Sequence, residues 1–118
     1  MDRKRLTNVK KFLEMVSEGE LEAVATKFSI HAIEAILNDS ELILIFLRNL
    51  RNSIGLHVYE TSMDGEIAAS MLMKKLKLDF DDSLQYYVAK KLGVKAIVSY
   101  DKHFDKTDIQ RKEPSDFI

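Results

Sequence analysis

With 118 residues, 46% of them hydrophobic and 31% charged, the chain is long enough for a single globular domain spanning 1–118 and too ordered in composition for a disordered one. The absence of cysteine excludes disulfides and thiolate metal sites, so any metal must be held by oxygen or imidazole, and a reducing cytoplasm is the expected setting. A net charge of −1 excludes a global pull on nucleic acid, no apolar run reaches the roughly 18 residues of a membrane span, and no apolar signal core follows Met1-Asp2-Arg3-Lys4-Arg5.

Leu6, Val9, Leu13 and Val16 recur at helical spacing and predict a helix over 3–17, ended near Gly19. Ala23–Phe28 reads as a short strand. Ile30, Ile33, Ile36 and Leu37 mark a second helix from near Ser29, broken at Asn38-Asp39-Ser40, with Ser40 as the expected cap of the next. The unbroken apolar run Leu42–Leu47 fits a buried strand or a buried helix; Ser40 before it and Arg48 and Arg51 after it favour helix. Such a helix is apolar almost all round, which predicts burial against a second subunit and a homodimer.

Ile54–Tyr59 reads as a strand opened by Gly55. Thr61-Ser62-Met63-Asp64 resembles a capping box and predicts a long helix through Ile67, Met71 and Leu76. Asp81 is the expected cap of a further helix carrying Leu84, Tyr87, Val88 and Leu92, stopped by Gly93. Ala96-Ile97-Val98-Ser99 has the continuous apolar character of a strand buried on both faces, and the tail to Pro114 leaves room for a short edge strand. Alternating helices and short buried strands predict an α/β domain with a mainly parallel sheet flanked by helices.

The chemistry-bearing residues cluster at element ends. Asp79, Asp81 and Asp82 sit where a helix begins, and Asp101 directly follows a strand. Parallel sheets present ligands at such ends, and carboxylates there hold Mg²⁺ or Mn²⁺. With Asp81 assigned to the cap, Asp82 has no structural task and is the stronger site candidate. Asp101 serves equally as a turn former or a ligand; Asp105 shares its face if 102–106 make a helical turn. Glu34 lies in the apolar stretch Ile30-His31-Ala32-Ile33-Glu34-Ala35-Ile36-Leu37, facing solvent or an inward partner. His31, His57 and His103 share no ligand spacing and read as structural. Lys74, Lys75 and Lys77 precede the acidic cluster and Lys90, Lys91 and Lys95 follow it, an acidic centre with basic surroundings that suits a metal site approaching a polyanion.

Phe28-Ser29-Ile30-His31-Ala32-Ile33-Glu34, Asp81-Asp82-Ser83-Leu84 and Ile97-Val98-Ser99-Tyr100-Asp101-Lys102-His103-Phe104, with the late Pro114, together resemble the PIN domain family over roughly residues 3–118. The resemblance implies a three-layer α/β sandwich. It also implies that Glu34, Asp82 and Asp101 converge on Mg²⁺ or Mn²⁺ as catalytic and metal-binding residues, with Asp105 as a variable extra ligand. Members of the family are mostly ribonucleases, and many are toxins of toxin–antitoxin pairs (VapC-like), which implies an RNA substrate and an antitoxin protein as partner.

The family pattern opens with a buried strand ending in an aspartate, and this sequence lacks that match: Asp2 precedes a basic helix. Relative to the family the domain is expected to be incomplete at its start, with one acidic ligand fewer, weak metal affinity and low activity. The alternative reading is a catalytically inactive PIN-like module for dimerisation or protein binding, supported by the 42–47 run. A third, weaker reading takes Asp79-Phe80-Asp81 as a toprim-like pair, which requires a strand before it.

Overall fold

The computed structural model describes residues 2–118, which divide into two compact units, one running to Tyr59 and the other Glu60–Phe117. The first holds α1 (Arg3–Ser17), β1 (Ala23–Thr26), α2 (Lys27–Leu37), α3 (Ser40–Arg51) and β2 (Leu56–Tyr59). The second holds α4 (Met63–Leu76), α5 (Phe80–Leu92), β3 (Ile97–Val98), a 3₁₀ helix (Lys102–Lys106), β4 (Arg111–Lys112) and a last 3₁₀ turn (Pro114–Phe117). The α/β class and the parallel pairing agree with the sequence. Among the described residues the strands form two two-stranded parallel sheets, β1 with β2 and β3 with β4. Among the described residues no helix is long and apolar enough to cross a membrane.

In the first unit, Asp2 caps α1 by accepting the Arg5 N–H at 2.8 Å, so this carboxylate has a helix end to satisfy. The chain entering β2 runs against the end of α1. Gly55 donates to the Val16 carbonyl, and a Cβ on Gly55 would stand 2.0 Å from the Leu21 carbonyl oxygen, so only glycine fits. The ladder pairs Ala23 with Leu56 through Thr26 with Tyr59. Thr26 ends β1 and caps α2 through the Ser29 N–H, which starts the helix at Lys27, two residues before the sequence expectation. Likewise Asp39, not Ser40, caps α3, because its carboxylate reaches the Leu42 N–H three residues on at 2.9 Å. The 42–47 run is helical as expected, and no residue of α3 is buried.

In the second unit α4 and α5 pack closely. A Cβ on Gly65 would come within 2.4 Å of Thr61 Cγ2 and 3.1 Å of Tyr87 Cε2, and Ala69 is fully buried. Beyond them Ala89, Ile97, Phe104 and Ile109 form the core cluster. The β3–β4 ladder is only two residues long, Ile97 with Arg111 and Val98 with Lys112. Ile97 is buried but Val98 is 36% exposed, so this strand is not covered on both faces as its composition predicted. The poorly exposed Arg111 guanidinium donates to Asp105 and Glu113, each at 2.8 Å, and to the Ser99 carbonyl at 3.0 Å.

Candidate metal centre

The α5 start is built by Asp79. Its side chain accepts the Asp82 N–H at 2.8 Å and its carbonyl accepts the Ser83 N–H at 2.9 Å, so Asp79 is the cap. Asp81, the cap expected from the sequence, lies inside the first turn and accepts from Gln85 Nε2. The correction has a simple cause: a capping oxygen must reach an amide two or three residues ahead, and Asp79 is spaced three residues from Asp82. The segment before Asp79 is helix α4 followed by its cap Lys77, with no strand, so the toprim-like reading of Asp79 and Asp81 falls.

Ser83 anchors this turn. It is fully buried, and its hydroxyl donates to the Ala69 carbonyl on α4 at 2.6 Å. A small residue after Asp82 thus lets the α5 start press onto α4 while Asp82 stays at the rim. Asp101 reaches the same rim from the end of β3. It caps the following 3₁₀ helix by accepting the His103 N–H at 2.8 Å, and its own N–H donates to Ser99 Oγ at 2.9 Å. Its Oδ1 also lies 2.8 Å from His103 Nδ1.

One oxygen each from Asp82 and Asp101 and one ring nitrogen of His103 lie mutually within 4.8 Å. The electrostatics show what crowding does. Loss of solvent, then the negative charges of Asp79, Asp101 and Asp81, push the Asp82 carboxyl up to about 6. The backbone N–H of His103 holds the Asp101 carboxyl below its usual range, with desolvation opposing it. Two carboxylates and an imidazole at this spacing form an oxygen-rich donor set that suits a divalent first-row ion or Mg²⁺, and a cation would relieve the repulsion that raises Asp82.

The other candidates have different surroundings. Glu34 sits on α2 in the first unit, partly buried, with its Oε1 2.6 Å from His31 Nδ1 one helical turn away. Asp105, in the same 3₁₀ helix as His103, is engaged by Arg111. Of the flanking lysines, Lys90 pairs with Asp108 at 2.8 Å and Lys91 lies 6.0 Å above the Tyr87 ring; Lys102, outside those two groups, is exposed directly after Asp101. His103 is the residue that sequence reasoning set aside. Its signal was an Asp-x-His step directly after a strand, where the aspartate folds back as a cap and brings both side chains to one place.

The chain matches the family pattern of the PIN domain over residues 2–110, and no curated protein and no solved structure matches it. Nuclease chemistry and divalent-metal binding are what this family's sites serve, and the rim formed by Asp82, Asp101 and His103 has the donor set for it. With the match covering nearly the whole sequence, and both the α/β architecture and the acidic rim agreeing with it, the chain belongs to the PIN domain family.

Proposed function

We propose that this protein is a metal-dependent phosphodiesterase acting on RNA, with Asp82 and Asp101 holding the cation and Glu34 and Asp105 as the further carboxylates of the reading. The observation that carries it is the meeting of Asp82 and Asp101 at the end of β3 and the start of α5, where one carboxyl is driven up and the other down by their surroundings. A bound Mg²⁺ or Mn²⁺ supplies Lewis acidity toward a phosphodiester and makes water a competent nucleophile near neutral pH. Asp79 and Ser83 fix the α5 turn so that Asp82 has one orientation, and the Ser99 hydroxyl and the His103 N–H do the same for Asp101. Lys102, exposed beside the rim, meets the phosphate backbone and positions it without reading sequence. Cleavage is expected to be slow, because Asp2 is occupied as the α1 cap and adds no carboxylate to the centre in this reading.

The test is cleavage of single-stranded RNA by the 118-residue chain with Mn²⁺, with and without EDTA. EDTA-sensitive cleavage that drops by about 100-fold or more in Asp101→Asn supports the reading, a loss typical of removing a group that holds the catalytic ion. Cleavage indifferent to EDTA overturns it.

A second reading concerns partners. Leu42, Leu44 and Ile45 on α3 are 52%, 47% and 58% exposed, and Ile36 on α2 is 81% exposed. Exposed apolar side chains at this density mark an interaction surface. A homodimer through α3, or a cognate antitoxin protein seated there as for a toxin, covers it; without catalysis the same surface describes a dimerisation module. Sedimentation separates these outcomes: self-association at micromolar concentration that is lost in Ile45→Glu supports the dimer, and a monomer at high concentration refutes it.

A further inference from the structure

We propose that His103 is a nitrogen ligand of the cation held by Asp82 and Asp101, which makes this centre a mixed oxygen–nitrogen site that prefers Mn²⁺ to Mg²⁺; the inference rests on the metal-dependent reading above. Residues two apart on a regular 3₁₀ helix point in different directions, so Asp101 and His103 would ordinarily diverge. Here Asp101 is the cap. Its side chain turns back over the first turn to accept the His103 N–H, and that same turn places its Oδ1 2.8 Å from the ring Nδ1. A backbone device therefore delivers the imidazole to the carboxylates.

The ring has no packing duty that explains its presence. The His103 side chain is 67% exposed, whereas the next residue, Phe104, is 1% exposed and fills the core cluster. The other two histidines belong to the first unit, His31 against Glu34 and His57 3.8 Å from Glu22. Three donors mutually within 4.8 Å match the spacing on one ion, since bonds of about 2.0–2.6 Å put two ligands up to about 4–5 Å apart. Imidazole changes which ion is favoured. Mg²⁺ prefers oxygen and retains its waters, whereas the divalent first-row ions gain more from a nitrogen donor, with Mn²⁺ at the weak end of that series. A ring that only hydrogen-bonds Asp101 would orient the carboxylate and leave the preference unchanged.

The experiment binds Mn²⁺ alone to the full 118-residue chain and reads pulsed electron paramagnetic resonance for directly coordinated nitrogen. The expected result is one bound ion with a ¹⁴N coupling that disappears in His103→Gln while circular dichroism is unchanged, as an exposed side chain allows. Mn²⁺ affinity should fall by on the order of tenfold and Mg²⁺ affinity by about twofold or less. An ion that is lost in Asp101→Asn or Asp82→Asn but shows no nitrogen coupling overturns the proposal and leaves the metal-dependent reading standing. A coupling that survives His103→Gln also overturns it. If Mn²⁺ does not bind, or binds equally well to both aspartate variants, the proposal and the reading beneath it fall together.

Discussion

The two units bury their apolar residues to different extents. The second buries Leu84, Val88, Ile97 and Phe104 and lets α4 and α5 meet at glycine, alanine and serine, although Met63, Ile67 and Met71 on α4 are more than half exposed. The first buries Val16 and Ile30 but leaves Leu13, Ile36, Leu42 and Ile45 more than half exposed. It has the longer strand ladder, four pairs against two. The difference teaches that side-chain packing, not ladder length, is what fixes the carboxylates of the second unit. Backbone threading does the equivalent work in the first, while more of its apolar surface stays exposed.

The largest expected effects test that division at its two anchors. Phe104→Ala should destabilise the second unit by about 3–5 kcal/mol, the usual cost of an aromatic cavity. Gly55→Ala should cost a comparable amount, on the order of 3 kcal/mol or more, because the added carbon meets carbonyl oxygens that cannot turn away. Urea denaturation gives the totals, and hydrogen exchange resolved by residue shows which unit opens. If Phe104→Ala loosens the amides of β1 and β2 more than those of β3 and β4, the assignment of packing to the second unit is wrong.

Ser83→Ala sharpens the comparison by about 1 kcal/mol, the worth of a buried hydroxyl-to-carbonyl bond. Its further effect should be a weaker hold on Asp82, visible as reduced Mn²⁺ affinity in calorimetry. Unchanged affinity would show that the α5 cap alone positions the carboxylate.

Asp82 supplies a pH-dependent test. The folded chain keeps this proton up to about 6, while the unfolded chain releases it near the ordinary 3.8. Folding therefore binds the proton, and stability falls as pH rises between those values and stays lowered above them. Asp82→Asn should relieve this at pH 7, by about 1 kcal/mol after allowing for solvent screening, and give no gain at pH 3.5. Saturating Mn²⁺ should reverse the order at pH 7, since on the proposed function only the wild-type carboxylate pair holds the ion. Thermal melts at the two pH values, with and without the ion, read all three.

The smallest effect belongs to the first unit. Ile36→Ala should change monomer stability by no more than about 0.5 kcal/mol, since an exposed side chain loses little on truncation. A larger loss in urea titrations at low protein concentration would mean that this surface already has a role within the single chain.

Most helices were legible from apolar spacing and from their stops, Gly19 and Gly93 in the left-handed region with φ +84° and +66°; the cap of α4 is Ser62, one residue past the Thr61 that opens the capping-box pattern. The caps of α3 and α5 were misassigned by one and two residues, since Asp39-Ser40 and Asp79-Phe80-Asp81 each offer competing oxygens and only the reach to a particular amide decides. Strand extent was less legible. Ala96–Ser99 has the composition of a buried strand, but its length depends on how much of the 111–112 segment runs alongside, which no local pattern encodes. Asp82 and Asp101 could be singled out because each sits at an element end. His103 could not, because its proximity arises from the backward fold of a neighbouring side chain rather than from helical or strand spacing.

Arg111 has a consequence for how so short a ladder stays in register. Two residue pairs give the backbone little preference between one alignment and the next, and a slip by one would turn Ile97 out of the core. The guanidinium removes that freedom: it holds the Ser99 carbonyl beside β3 while also holding Asp105 ahead of β4 and Glu113 behind it. It works as a dowel through strands too short to align themselves. The position of Asp101, two residues past Ser99, is therefore set by a side chain ten residues downstream. Replacing it with lysine, which keeps the charge and loses the fork, would leave the fold's charge balance intact while freeing the strand to slide.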